Sequence, residues 1–115
     1  MTDDLGLNAY QRLAGRTAQY PGRGAKPMSA YPALGLAGEA GEVCEQIKKA
    51  MRDDGGEITP ERHKALKKEL GDVLWYLAAL AFELDLDLSD IAQANLDKLA
   101  DRKARGVLQG SGDER

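Results

Sequence analysis

Two pairs of acidic residues have the spacing that places two side chains on one face of a helix. The first pair is Glu39 and Glu42, in the segment Leu-Ala-Gly-Glu-Ala-Gly-Glu-Val, and the second is Glu69 and Asp72, just before a strongly apolar run. Residues three apart are neighbours on a helix surface. Each pair therefore predicts two carboxylates that point in the same direction from one helix.

The chemistry that suits these pairs is the binding of a hard divalent cation. Carboxylates brought together repel one another and raise each other's pKa values unless a cation lies between them. Oxygen ligands favour Mg²⁺ or Mn²⁺ over zinc or copper. Di-iron carboxylate bundles use Glu-x-x-His pairs, which this sequence lacks, and we interpret its one histidine, His63, as a surface residue. We therefore predict a Mg²⁺ site, with Mn²⁺ as the alternative metal, whose ligands are Glu39, Glu42, Glu69 and Asp72.

The periodicity of the apolar residues predicts the helices that position these acids. We predict four helices, over residues 5–20, 32–52, 60–84 and 88–104. Thr59 is a good N-cap with Pro60 at the first helical position, and Asp87 with Asp90 resembles a capping arrangement for the last helix. No segment has the alternation of a strand or the period of a solenoid repeat. The predicted fold class is all-α.

The third predicted helix indicates an assembly of more than one chain. Its segment Val73–Phe82 is apolar on nearly every side, yet it is shorter than the about 20 residues that span a bilayer. Such a helix needs neighbours all round, and we expect a second copy of the chain among them.

Gly35, Gly38 and Gly41 of the second predicted helix each cost that helix about 1 kcal/mol relative to alanine, which predicts the close approach of another helix or a ligand.

A third polar stripe lies on the last predicted helix. It consists of Asn95, Lys98, Arg102 and Arg105, at helical spacing. Carboxylate-bound Mg²⁺ commonly keeps coordination positions for water and for substrate phosphates. Lys98 and Arg102, together with Lys49, would neutralise the remaining phosphate charge. The alternative is a solvated helix face, because runs of charged residues usually face water.

The length and charge of the chain limit the other functions to consider. A chain of 115 residues predicts one domain, with a core over 31–105, an N-terminal helix and loop over 1–30 and a mobile tail over 106–115. The net charge of −3 argues against binding of polymeric nucleic acid. The single cysteine and an N-terminal segment unlike a signal peptide lead us to expect a cytoplasmic protein that does not bind membranes. The Gly/Pro-rich loop 21–27 is either a linker or a loop that closes over a ligand.

Three separated blocks of the sequence together resemble the MazG-like nucleoside triphosphate pyrophosphohydrolases. The blocks are Leu36–Val43, Lys68–Tyr76 and Asn95–Leu99 with Arg102, in that order. The resemblance covers residues 31–105 and includes the complete E-x-x-E…E-x-x-D signature, whereas the loop before it has no clear family motif. It implies an all-α, four-helix-type bundle assembled as a dimer or a dimer of dimers.

The resemblance also implies an enzyme. Its reaction would be the magnesium-dependent hydrolysis of nucleoside or deoxynucleoside triphosphates to the monophosphate and pyrophosphate, which suits housecleaning of the nucleotide pool. Carried over by position, the four acids would bind the metal, and Asn95, Lys98 and Arg102 would contact the substrate. Water would attack the α-phosphorus with Glu39 or Glu42 as the catalytic base, and the sequence does not choose between these two glutamates. The alternative is a non-enzymatic, homodimeric interaction module whose acidic cluster binds a structural metal or a basic partner.

Overall fold

The structure, a computed structural model, describes residues 4–115, so the first three residues of the predicted N-terminal segment lie outside the described residues. Its four α-helices in chain order are α1 (Leu7–Ala14), α2 (Tyr31–Asp53), α3 (Pro60–Glu83) and α4 (Leu88–Ala104), with a 3-10 helix, Gly15–Thr17, directly after α1. Residues 4–115 contain no strand. None of these helices combines the length and the apolar character that crossing a membrane requires. The prediction of an all-α fold is confirmed.

The helices α2 and α3 form an antiparallel hairpin and make the most extensive contact between elements. As predicted, Thr59 caps α3, because its hydroxyl oxygen accepts a hydrogen bond from the Arg62 backbone N–H at 3.2 Å, and Pro60 is the first helical residue. At the turn, the Arg62 guanidinium donates to the carboxylate of Asp54 and, at 3.2 Å, to the side-chain oxygen of Gln46. These bonds fix the end of the hairpin and so help to set the register in which the two helices face each other.

The packing of the hairpin requires one of the helical glycines. A Cβ atom at Gly35 would lie 2.2 Å from Cε1 of Tyr76, so the tyrosine ring of α3 rests directly on the backbone of α2. The predicted close approach of a second helix is confirmed at this position. Gly38 and Gly41 face open space within the described part of the chain, so no other segment of residues 4–115 fills the room that they leave.

The N-terminus of α4 is capped by side chains of α1. The sequence predicted capping by the acids of α4 itself, but the side chain of Asp87, in the N-cap position, makes no capping bond. Instead, Gln11 accepts a hydrogen bond from the Leu88 N–H at 3.1 Å, and Asn8 accepts one from the Ser89 N–H at 2.9 Å. The prediction was wrong because α1 packs against α4 and supplies acceptors to N–H groups that a helix leaves free at its start.

The loop after α1 is tied to the end of α3 by a buried carboxylate. Glu83, the last residue of α3, is only 8% exposed. It accepts hydrogen bonds from the Tyr20 hydroxyl at 2.8 Å and from the Gly24 backbone N–H at 2.9 Å. Burial is the main cause that raises the pKa of Tyr20 to about 12, so the hydroxyl keeps the proton that it donates. These bonds hold the loop 21–27 against the body of the protein.

Few apolar side chains are buried within one chain. The central cluster consists of Ala78, Ala81 and Leu88, whereas Leu70 of α3 is 56% exposed and Leu34 of α2 is 71% exposed. The radius of gyration is 17.2 Å, compared with about 13 Å for a compact domain of this length. The helix that was predicted to have neighbours all round is therefore only partly covered by its own chain.

Candidate active site

Three of the four predicted metal ligands converge between α2 and α3. Glu39 from α2 and Glu69 and Asp72 from α3 each present a carboxylate oxygen, and these oxygens lie within 4.8 Å of one another. Glu39 and Glu69 are half-buried, whereas Asp72 is exposed, so the cluster is open to solvent on one side. Their spacing places Glu69 and Asp72 on one face of α3, and the packing of the hairpin turns that face towards Glu39.

The environment of Glu39 raises its affinity for protons. Burial raises the pKa of the Glu39 carboxyl, and a hydrogen bond with Glu69 raises it further. The negative charges of Asp72 and Glu42 act in the same direction. Glu42 is exposed and lies outside the close group of three acids. Its charge nevertheless reaches Glu39, so the fourth predicted ligand lies beside the cluster rather than in it.

The donor set fits a hard divalent cation. A cation between the carboxylates would offset the repulsion that helps to raise the pKa of Glu39. Every ligand atom is a carboxylate oxygen, the type that Mg²⁺ and Mn²⁺ prefer, and the open side of the cluster leaves room for water or phosphate oxygens. The residues that would hold the ion are Glu39, Glu69 and Asp72. His63 is exposed on α3, as predicted, and belongs to no such group within residues 4–115.

Aromatic side chains lie beside the acids, a feature that the sequence interpretation missed. The rings of Tyr20 and Tyr31 are stacked with centroids 5.6 Å apart, and the centroids of Tyr31 and Tyr76 are 6.4 Å apart. Burial is the main cause that raises the pKa of Tyr76, and the charges of Glu39 and Asp72 contribute. Tyr76 is thus close to the cluster. The signal in the sequence was its spacing, since it follows Asp72 by one turn of α3.

The cations of α4 that were predicted to bind phosphate contact the C-terminal tail. The Nζ atom of Lys98 lies 3.1 Å, and Nη2 of Arg102 lies 3.0 Å, from the same carboxylate oxygen of Asp113. Arg102 also donates to the backbone carbonyl of Asp113 at 2.6 Å and is only 5% exposed. The alternative of a solvated helix face is therefore wrong for Arg102, because the tail covers its guanidinium.

The structure does not bring the predicted substrate-binding residues to the acids within one chain. Asn95, Lys98 and Arg102 belong to α4, which packs against α1. Lys49 lies near the C-terminal end of α2 and is half-buried. Among the hydrogen bonds and ion pairs of residues 4–115, none joins these four side chains to the acidic cluster. Within one chain, the acids thus converge between α2 and α3, whereas Lys98 and Arg102 bond to the C-terminal tail.

Comparison with known proteins points to nucleotide chemistry. A model of the MazG nucleotide pyrophosphohydrolase domain matches residues 31–107, which include all of α2, α3 and α4. The Gene 37 protein of Mycobacterium phage L5 is 50% identical over 112 residues, which cover 95% of this chain and 98% of that protein.

Two of the relatives have a named activity. The proteins called dCTP pyrophosphatase 1 in Mus musculus and Rattus norvegicus are each 35% identical over 80 residues, which cover 68% of this chain and 47% of the relative. The chain thus spans about half the length of these two proteins. No solved structure matches the chain.

A test of the acidic cluster separates metal binding from structural stabilisation. Because the acids repel one another without a cation, Glu69→Gln should leave the metal-free protein as stable as wild type or make it more stable. At Mg²⁺ about 100-fold above its Kd, the wild type should gain about 2.7 kcal/mol, and the variant should gain much less. Thermal melting with Mg²⁺ and with a chelator measures both effects.

The control for this test is Glu57→Gln, which removes an exposed acid that forms no ion pair within residues 4–115. It should change neither the melting temperature nor the gain with Mg²⁺. If the acids were instead part of a structural network of ion pairs, breaking it would destabilise the metal-free protein by about 3–5 kcal/mol. A loss of that size in Glu69→Gln would contradict the metal site.

Proposed function

Because the chain belongs to the MazG nucleotide pyrophosphohydrolase family, we propose that it hydrolyses nucleoside triphosphates to the monophosphate and pyrophosphate, as housecleaning of the nucleotide pool would require. The observation that carries this proposal is the convergence of Glu39, Glu69 and Asp72 from two helices at an open edge of the hairpin. Mutually repelling carboxylates in such a position are costly for a purely structural role and useful for holding a cation next to an anionic substrate.

The acids have separate roles in this proposal. Glu39, Glu69 and Asp72 hold the metal. If these residues hold Mg²⁺, the ion would supply a Lewis acid that neutralises charge on the triphosphate and lowers the pKa of water. Glu42 lies outside the close group yet affects the charge of Glu39, so its carboxylate is free to accept the proton of the water that attacks the α-phosphorus. This assigns the catalytic base to Glu42 rather than to Glu39, the choice that the sequence left open.

The aromatic rings beside the acids would serve the nucleoside half of the substrate. Tyr31 is 45% exposed, and its ring stacks on Tyr20 and lies next to Tyr76. An exposed, supported ring is a surface on which a nucleobase can stack, a contact worth about 1–3 kcal/mol per base in proteins that bind single strands. The likeness to two dCTP pyrophosphatases makes dCTP the first nucleotide to test.

We also propose that the active protein is a homo-oligomer, a dimer or a dimer of dimers. One chain leaves large apolar side chains exposed on α2 and α3 and has a radius of gyration of 17.2 Å. A second copy packed on these faces would bury them. Since α4 packs on α1 within one chain, the same assembly would allow the Lys98 of one copy to serve the acids of another.

The test of the proposed activity is the release of pyrophosphate from the common ribo- and deoxyribonucleoside triphosphates and from inorganic tripolyphosphate. We expect hydrolysis of nucleotides in Mg²⁺ or Mn²⁺, none with a chelator and little of tripolyphosphate, which has no base. Glu42→Gln should lower kcat by about 100-fold or more, as the loss of a general base does. Glu45→Gln, which removes a half-buried acid of α2 paired with Lys48, should leave kcat unchanged.

Two outcomes would contradict this proposal. If no nucleotide releases pyrophosphate in either metal, the chain is better described as an interaction module with a metal-binding cluster. If Glu42→Gln keeps the activity of Glu45→Gln, Glu42 is not the base, and the role returns to Glu39.

A subunit-mixing experiment tests the oligomer and the sharing of a site between copies. Glu69→Gln and Lys98→Ala should each be nearly inactive alone. After the two are unfolded together and refolded, about a quarter of the wild-type activity should return, because half of random dimers are mixed and each has one intact site. Light scattering on the same samples gives the oligomeric state. A monomer, or activity no higher than the mean of the two variants, would contradict the proposal.

A further inference from the structure

The C-terminal tail, residues 106–115, folds back on α4 and places one carboxylate between two cations. The first turn of the tail is fixed by a hydrogen bond from the Val107 N–H to the Arg102 carbonyl, at 2.9 Å. Further along, Arg115 donates to the Val107 carbonyl at 3.2 Å, and Arg105 donates to the carbonyl oxygen of Arg115 at 2.7 Å. The tail is thus held by several bonds that do not involve the side chain of Asp113.

The contacts of Asp113 are those of an anion in a cationic site. Its Oδ1 atom accepts hydrogen bonds from Lys98 at 3.1 Å and from Arg102 at 3.0 Å. The bond from Arg102 is the main cause that lowers the pKa of the Asp113 carboxyl, so this carboxylate stays charged at neutral pH. Arg102 is buried, whereas the side chain of Asp113 is 77% exposed. Arg102 is therefore held in place, whereas Lys98, 42% exposed, and the carboxylate between the two cations are open to solutes.

We propose that Asp113 competes with the phosphates of the substrate for Lys98 and Arg102, and thereby sets the affinity of the enzyme for triphosphates. This inference rests on the proposed function, in which these two cations bind phosphate. A triphosphate carries several negative charges and replaces the single charge of the carboxylate. The exposed side chain of Asp113 has to leave Nη2 of Arg102 and Nζ of Lys98, whereas Arg102 keeps its bond to the backbone carbonyl of Asp113, at 2.6 Å. The rest of the tail keeps its own bonds.

The competition predicts that removing the charge of Asp113 strengthens phosphate binding. Because exposed ion pairs are weak, Asp113→Asn should bind phosphate anions only about 1.5- to fivefold more tightly than wild type. The matched control is Glu114→Gln, because Glu114 is the neighbouring acid of the same tail and forms no ion pair within residues 4–115. Asp113→Glu keeps the charge and should bind no more tightly than wild type.

The probe is inorganic pyrophosphate, titrated calorimetrically into the full-length protein in Mg²⁺, together with the KM for a nucleoside triphosphate. Tighter pyrophosphate binding and a lower KM in Asp113→Asn alone support the proposal. Unchanged or weaker binding would overturn it, as would an equal gain in Glu114→Gln, because that would be a general effect of net charge. Circular dichroism and thermal melting verify that the variants are folded.

The pyrophosphate titration also keeps this inference distinct from the proposed function. If the wild type hydrolyses no nucleotide but Asp113→Asn still binds pyrophosphate more tightly than wild type, the proposed activity is wrong. The proposal that Asp113 competes with phosphate for the two cations is then still supported. If neither protein binds pyrophosphate, the cations form no phosphate site and the competition is wrong, whatever the activity.

Discussion

The carboxylates of Glu39, Glu69 and Asp72 repel one another, and the packing of α2 against α3 holds them together against that repulsion. Two helices must pack closely enough to bring these side chains within 4.8 Å of one another, although burial and the neighbouring charges raise the pKa of Glu39. The favourable packing of α2 against α3 is therefore opposed by the electrostatic repulsion among these carboxylates. A bound cation would offset this repulsion, because the carboxylates that repel one another would all be attracted to it as ligands. The acids are thus held together by contacts that lie outside the cluster.

Those contacts are local and identifiable. Gly35 lets the ring of Tyr76 rest on the backbone of α2, one turn from the acids, and Arg62 closes the other end of the hairpin through Asp54 and Gln46. Of the remaining helices, α1 packs against α3, and burial, followed by the charge of Asp72, raises the pKa of its Tyr10. Within one chain, large apolar side chains of α2 and α3 stay exposed, so the acidic cluster lies on a hairpin that one chain only partly covers.

The features that the sequence predicted correctly are those that depend on the spacing of residues close together in the chain. The pairing of Glu69 with Asp72 follows from helical geometry, and the start of α3 follows from Thr59 and Pro60. It did not predict contacts between residues far apart in the chain. Gln11 binds the N-terminus of α4 across 77 positions, and no local pattern distinguishes it from an exposed glutamine. The pairing of Arg102 with Asp113 was missed for a similar reason. Helical spacing places Arg102 on one face of α4, but it does not show that the C-terminal tail folds back onto that face. Glu42 shows a further limit: spacing placed it with Glu39, but the approach of α3 decides which of the two joins the cluster.

We propose that the acidic cluster of this hairpin directs water to the α-phosphorus of a nucleoside triphosphate. Hydrolysis in water enriched in heavy oxygen tests it directly, with the products separated and weighed by mass spectrometry. Attack at the α-phosphorus places the heavy oxygen in the nucleoside monophosphate and leaves pyrophosphate unlabelled, and we predict that result for the wild type in Mg²⁺. Heavy oxygen in pyrophosphate, or release of single phosphates in place of pyrophosphate, would contradict the account.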